Sequence, residues 1–153
     1  FESKLSIYDA MYGQAWSEFE ALSRATTASA DFPTSGRERI KAMSHLFFDF
    51  AVADLARYQL MNQRSVPGFT PSAESYAPAV REMEQSLAEL AAMDVTDRGD
   101  VEIWFALLGG LVDQQLANDP GGTSRKDLLD RAVDMWADSV GLTPEQPREG
   151  KRQ

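Results

Sequence analysis

The 153-residue sequence predicts an all-α fold, a single helical-bundle domain of about five main helices. Three observations carry that prediction. Apolar residues recur every three or four positions, and no segment alternates with the period of two that a half-buried strand requires. The breaks fall at clusters of Pro and Gly. A composition of 43% hydrophobic and 25% charged residues is that of a folded domain, not a disordered chain. At this mass about two-thirds of the unfolded surface can be buried, enough for a core without staples.

The first helix starts after Ser3, whose hydroxyl suits an N-cap, and carries Leu5, Tyr8, Met11, Tyr12, Ala15, Trp16, Phe19 and Leu22 on one stripe. Gly13 interrupts it at a modest propensity cost, and it ends in the stretch Thr26 to Ser35. The second helix is expected to run unbroken from about Gly36 to Gln63, roughly 40 Å at 1.5 Å per residue. Its apolar positions, from Ile40 through Phe48 to Met61, cover most of its circumference, which predicts a central helix. Pro67-Gly68 and Pro71 mark a loop from Arg64 to Ser72.

A third helix follows from Ser72 or Ser75 to about Met93, with Tyr76, Val80, Met83, Leu87 and Leu90 expected to face inward. Pro78 lies in its first turn if Ser75 is the cap and produces a kink if Ser72 is. The fourth helix runs from about Arg98 to Ala117 and is closed by Asn118-Asp119-Pro120-Gly121-Gly122. The fifth runs from a cap at Thr123 or Ser124 to Val140, with Gly141 as its C′ residue. Residues 1–142 are thus expected to form the domain, and 143–153 a disordered tail.

What the sequence lacks narrows the function. With no cysteine there is no disulfide, thiolate metal site or cysteine nucleophile, a composition consistent with the cytoplasm. A single histidine, His45, excludes the paired Glu-x-x-His motifs of di-metal bundles, and no Gly-x-Ser-x-Gly elbow supports a serine nucleophile. No catalytic residue, metal ligand or cofactor is expected, and the chain does not read as an enzyme. Its 24 acidic and 15 basic side chains leave a net charge of −9, which repels the phosphates of nucleic acid. Arg37, Arg39 and Lys41 read as a solvated basic face. The longest apolar run, Ile103 to Val112, is far short of the roughly 20 residues that span a bilayer, so no membrane partner is expected.

Two features are left with alternatives. Asp49, Asp54 and Asp113 interrupt apolar segments, and each must reach solvent, pair with a cation or line a polar pocket. For Asp54, Arg57 offers an i,i+3 ion pair. Gly109-Gly110 weakens the fourth helix by about 2 kcal/mol relative to two alanines. Close approach of another helix, room for a ligand against the backbone, or a tolerated accident would each account for it.

Phe1-x-Ser3-Lys4 followed by a long amphipathic helix resembles the junction in the TetR family of bacterial transcriptional regulators, where a Phe-x-Ser/Asn-Lys segment opens the helix that links a helix-turn-helix to a ligand domain. The succession of helices resembles that family's C-terminal ligand-binding and dimerisation domain, and Trp104 with Gly109-Gly110 resembles a Trp-plus-Gly pattern in its penultimate helix. The resemblance implies a helix-turn-helix ahead of Phe1, a cytoplasmic homodimer, a hydrophobic small-molecule effector, and operator DNA contacted only through the N-terminal part. The loop Arg64 to Ser72 is then expected to return towards the level of Phe1.

The candidate ligand pocket is an aromatic lining with few polar groups: Tyr12, Trp16, Phe47, Phe50, Asp54, Tyr58, Met83, Leu87 and Trp104. The fourth and fifth helices carry more apolar surface than one small domain covers. The candidate dimer interface, a four-helix bundle with the two-fold mates, is therefore Leu108, Val112, Gln115, Leu128, Ala132, Met135 and Trp136. A stand-alone helical protein–protein interaction module is the alternative function.

Overall fold

The computed structural model describes residues 3–34 and 36–144, and those residues form an all-α helical bundle without strands. In chain order the helices are α1 (Lys4–Thr27), α2 (Gly36–Val52), α3 (Leu55–Asn62), α4 (Ala73–Ala91), α5 (Arg98–Asn118) and α6 (Leu129–Ser139). A single 3-10 turn, Lys126–Leu128, leads into α6. Phe1 and Glu2, and all of the expected tail beyond Pro144, lie outside the described residues.

The ends of the helices follow from local chemistry. Ser3 and Ser6 form a reciprocal capping box at α1, each backbone N–H donating to the other's hydroxyl at 3.1 Å. Asp97 caps α5 by accepting from the Asp100 N–H at 3.1 Å. Gly141 closes α6 with φ at +78°, and the Leu142 N–H then reaches back to the Ala137 carbonyl at 2.9 Å. Ser72 is the cap of α4, so Pro78 lies inside that helix. There it removes the backbone bond to the Glu74 carbonyl.

The long second helix of the sequence prediction is two helices. Asp54 adopts an extended backbone and accepts from the Arg57 N–H at 3.0 Å, acting as the N-cap of α3. A short carboxylate that can bond its own downstream backbone competes with helix continuation. Arg57 completes the break by donating to the Phe50 carbonyl at 2.6 Å, one of the acceptors that the end of α2 leaves open. Its guanidinium also lies 3.7 Å from the centre of the Phe50 ring. The turn redirects α3 towards α1.

Two apolar clusters result. The larger joins α2, α5 and α6 around Ile40, Phe48, Trp104, Val112 and Trp136, with Leu90 anchoring the end of α4. The Trp104 indole N–H donates to Ser44 Oγ at 3.1 Å, and Trp136 donates to the Asp100 carbonyl at 2.8 Å, so both buried indoles are satisfied. The smaller cluster joins α1 and α3 through Ala15, Phe19 and Met61.

Three ionic features fix the remaining helices. Antiparallel α2 and α6 face each other through a ladder with a four-residue period: Arg37 to Asp138 (2.7 Å), Lys41 to Asp134 (3.0 Å), His45 to Asp130 (2.7 Å) and Asp49 to Lys126 (2.6 Å). The basic residues at the start of α2 are thus not a solvated face. Arg37 is buried and donates to the Leu142 carbonyl as well, and Arg39 makes a two-bond pair with Glu89 of α4 at 2.6 and 2.7 Å. On the other side α4 runs parallel to α1, tied by Asp9 to Ser72 and Ser75 and by Arg81 to Glu20. Gly13 permits this approach, because a Cβ there would stand 3.1 Å from the Ser75 backbone.

Of the inward stripe predicted for α4 only Leu90 is buried. The buried residues of this helix are Pro78, Ala79, Glu82 and Leu90, whereas Tyr76, Val80, Met83 and Leu87 are exposed. Small residues let α4 lie against α1, which leaves the large apolar side chains pointing away from the core. The loop 63–72 docks on α1, with Phe69 about 6 Å from both Tyr8 and Tyr12.

Candidate functional site

Because α4 packs chiefly on α1 and joins the larger cluster only through its end at Leu90, the two apolar clusters do not close over one another. Between them lies a cleft of about 800 Å³, within the range of small-molecule sites. α1 provides one wall through Tyr12, Trp16 and Phe19, and α2 and α3 provide the floor through Met43, Phe47, Tyr58 and Met61. Tyr76, Val80 and Met83 of α4 face Trp104, Phe105 and Gly109 of α5 across it. The exposed apolar stripe of α4 is therefore largely cleft lining.

Six of the nine predicted pocket residues meet here: Tyr12, Trp16, Phe47, Tyr58, Met83 and Trp104. Three do not. Phe50 packs behind the wall, 5.0 Å from the Phe19 ring and beneath Arg57. Asp54 is committed to capping α3 at the surface, and it neither pairs with the Arg57 side chain nor reaches the cleft. Leu87 lies one turn beyond Met83 along α4, past the edge of the lining.

The aspartates divide between the alternatives open to them. Asp49 pairs with Lys126, and Asp113 lines the cleft, accepting from Tyr58 Oη at 2.9 Å and Gln63 Nε2 at 3.0 Å. Burial, followed by the Asp113 hydrogen bond, pushes the Tyr58 phenol well above its ordinary range, so it acts as a donor and not as an acid. Tyr12 is likewise raised, first by burial and then by the neighbouring Tyr76 hydroxyl. The Trp16 indole N–H is buried beside the Tyr12 hydroxyl, and among the described residues it has no partner in good hydrogen-bond geometry.

Glu82 is the most unusual group in the lining. It is 7% exposed, and among the described residues it makes no salt bridge. Burial raises its carboxyl above the ordinary glutamate value of 4.5, while the Ser23 hydroxyl beside it acts in the opposite sense. Arg81, the sequence neighbour of Glu82, and Arg24 are engaged elsewhere: Glu20 holds Arg81 through two bonds at 2.7 and 2.8 Å and Arg24 at 2.8 Å.

Among the described residues, helix packing accounts for neither half of the glycine pair. A Cβ on Gly109 would point to Tyr58 Oη at 4.0 Å, and one on Gly110 would meet nothing within 4 Å, so neither glycine serves close packing inside this chain. Both line the cleft and keep the α5 backbone bare towards it.

Comparison with protein-family models, curated proteins and solved structures finds no match for this chain. Among the described residues no group of three or more His, Asp or Glu is placed to hold a metal ion, and no helix is long and apolar enough to cross a membrane.

The residues predicted for a dimer interface divide sharply. Leu108, Val112, Gln115 and Trp136 are buried in the core of the single chain, which removes them as contacts for a second copy. Gln115 is used internally, accepting from the Arg125 N–H at 2.8 Å and donating to the Asp119 carbonyl. Leu128, at the end of the 3-10 turn, and Met135 of α6 are exposed, Met135 to 64%, and Ala132 is half-buried between them in sequence. On α5 the exposed apolar residues are Ile103 and Leu107. An apolar periodicity that spans more than one face cannot say which face a neighbour inside the same chain will cover.

Sequence reasoning passed over Met43, Phe105 and Glu82 as site residues. The signal for Glu82 was its spacing: Ala79, Glu82, Ser86 and Leu90 recur every three or four residues and form the stripe of α4 turned inward.

Proposed function

We propose that this chain is the ligand-sensing and dimerisation part of a TetR-like transcriptional regulator. Its cleft takes a hydrophobic small molecule, and occupancy alters operator binding by a helix-turn-helix joined ahead of α1. The observation that carries the reading is the cleft itself, about 800 Å³ walled by aromatic and Met side chains from five helices and bordered by a bare stretch of α5.

The path of coupling is short. Tyr12 and Tyr76 belong to the cleft, Tyr12 also contacts Phe69 of the loop 63–72, and Asp9 on the same helix holds Ser72. A ligand that favours one setting of α1 against this loop shifts the start of α1, and with it anything α1 carries. Such coupling requires different affinities in the two settings, not contact alone.

A homodimer belongs to the same reading. Ile103, Leu107, Leu128, Ala132 and Met135 supply the apolar surface for it, replacing the four interface residues that the core has taken.

Two measurements test the proposal. Titration with the neutral naphthalene dye N-phenyl-1-naphthylamine should show saturable one-to-one binding that Gly109→Phe abolishes by filling the cleft. Absence of binding to the wild-type chain by both this neutral dye and a cationic naphthalene probe rejects the sensor. The N-terminally extended gene product should bind DNA upstream of its own gene in a ligand-dependent manner; DNA binding unaffected by any cleft ligand rejects the regulator. The interaction-module alternative draws on the exposed α4 stripe, Tyr76 to Leu87. It predicts that Leu87→Asp, outside the cleft, abolishes partner binding.

A further inference from the structure

The chemistry of the cleft points to the charge of its ligand. The inference rests on the reading of the cleft as a ligand site and specifies what that site selects. Among the described residues no Lys, Arg or His contributes to the lining, whereas Glu82, Glu84 and Asp113 do. The apolar part of the lining is rich in π faces, including Trp16 and Trp104, the ring type that attracts cations most strongly. We propose that the cleft binds an aromatic organic cation, an ammonium ion carried on an apolar skeleton, with Glu82 as its charge partner.

Three observations single out Glu82 among the acidic groups. Its side chain is more than nine-tenths buried and lines the cleft, while Glu84 and Asp113 are exposed. Asp113 already receives hydrogen bonds from Tyr58 and Gln63, whereas Glu82 has no cation within salt-bridge distance among the described residues. Arg24, whose charge acts on Glu82, and Arg81, its neighbour in sequence, are both paired with Glu20 instead. A buried carboxylate with no cation in salt-bridge contact is costly in a folded protein, and a cation entering the cleft supplies that contact. An anionic ligand would meet three carboxylates and, among the described residues of the lining, no compensating base.

The test uses the full 153-residue chain and an isosteric pair of probes. One is (naphthalen-1-ylmethyl)trimethylammonium and the other is 1-neopentylnaphthalene, in which carbon replaces the charged nitrogen. Binding is followed by quenching of tryptophan fluorescence. The ammonium should bind at least about tenfold more tightly than its neutral isostere, and Glu82→Gln should bring the two to within about threefold by weakening the ammonium alone. Asp138→Asn removes an exposed charge on the α6 ladder and should leave the ratio unchanged, separating a specific partner from the overall charge of −9.

Equal affinity of the two probes for the wild-type chain overturns the proposal whether or not the variant folds. A preference that persists in folded Glu82→Gln overturns the assignment of Glu82. Failure of both probes to bind is a different result, because it removes the ligand site itself and with it the sensor reading.

Discussion

At the scale of single residues, the structure shows how one side chain can be read wrongly by its type and correctly by its surroundings. Arg81-Glu82 looks like an ordinary surface pair, yet Arg81 turns to Glu20 and Glu82 turns inward alone. A carboxyl whose folded-state value lies above its unfolded value of 4.5 contributes stability below that value and loses it as pH rises through the folded one. The ionised form of Glu82 therefore weakens the ligand-free protein at neutral pH. Glu82→Gln should raise stability there by about 1 kcal/mol, and an unchanged or lowered melting temperature at pH 7 contradicts this. Glu20, Glu89 and Asp134 have the opposite sign, because Arg81, Arg39 and the Arg37/Lys41 pair hold them below their ordinary values. Their contribution is present above the unfolded values of 4.5 and 3.8 and is lost as pH falls through the folded ones. Melts between pH 7.5 and 3 should thus show a mild gain on first acidification, absent from Glu82→Gln, and then a steep loss common to both proteins. Gly110 is a third case. With open space at its Cβ, Gly110→Ala should stabilise α5 by about 1 kcal/mol in the monomer.

At the scale of helices, two contacts decide the architecture. A Cβ at Gly13 would crowd the Ser75 backbone at 3.1 Å, so Gly13→Ala should destabilise by about 1–2 kcal/mol despite the better helix propensity of alanine. A urea midpoint at or above that of the wild type would mean that α4 can move aside without loss. The α2–α6 ladder is uneven in the same informative way. Arg37 is buried with its aliphatic stem in the interface, whereas its partner Asp138 is mostly exposed. Arg37→Ala should cost about 2 kcal/mol, and Asp138→Ala less than about 1 kcal/mol. Equal costs measured by chemical denaturation would show that the ion pair, not the buried stem, carries the contact. The break at Asp54 was legible in principle, since a capping residue is followed three positions later by the N–H it accepts from. It was outweighed by the continuous apolar pattern on both sides, because periodicity does not register a turn that keeps both segments helical.

At the scale of the whole molecule, the cleft and the outer apolar face arise from the same cause: six helices bury only part of the apolar surface they carry. Ile103, Leu107, Leu128 and Met135 remain on the outside of α5 and α6. If they join two copies, Met135→Glu should raise the dimer dissociation constant at least about tenfold, visible by light scattering at micromolar concentration. A wild-type chain that is monomeric there would remove the dimer from the proposed function.

The sequence alone determined the class of this fold and most of its helix limits. Capping serines and aspartates, Pro-Gly loops and a three-to-four-residue apolar period act within a few residues of one another, and none needs a distant partner. It also assembled most of the aromatic lining, because Tyr12, Trp16, Phe47 and Trp104 lie on apolar stripes wherever those stripes end up. Only the tertiary structure decided which stripe meets protein and which meets space. Leu108 and Met135 are equally apolar in the sequence, but the first is in the core and the second is in solvent. Hydrophobic burial has no direction of its own. Its allocation among faces was settled by the close approach at Gly13, the turn at Asp54 and the charge ladder between α2 and α6, each a contact between residues or a bend that periodicity does not encode.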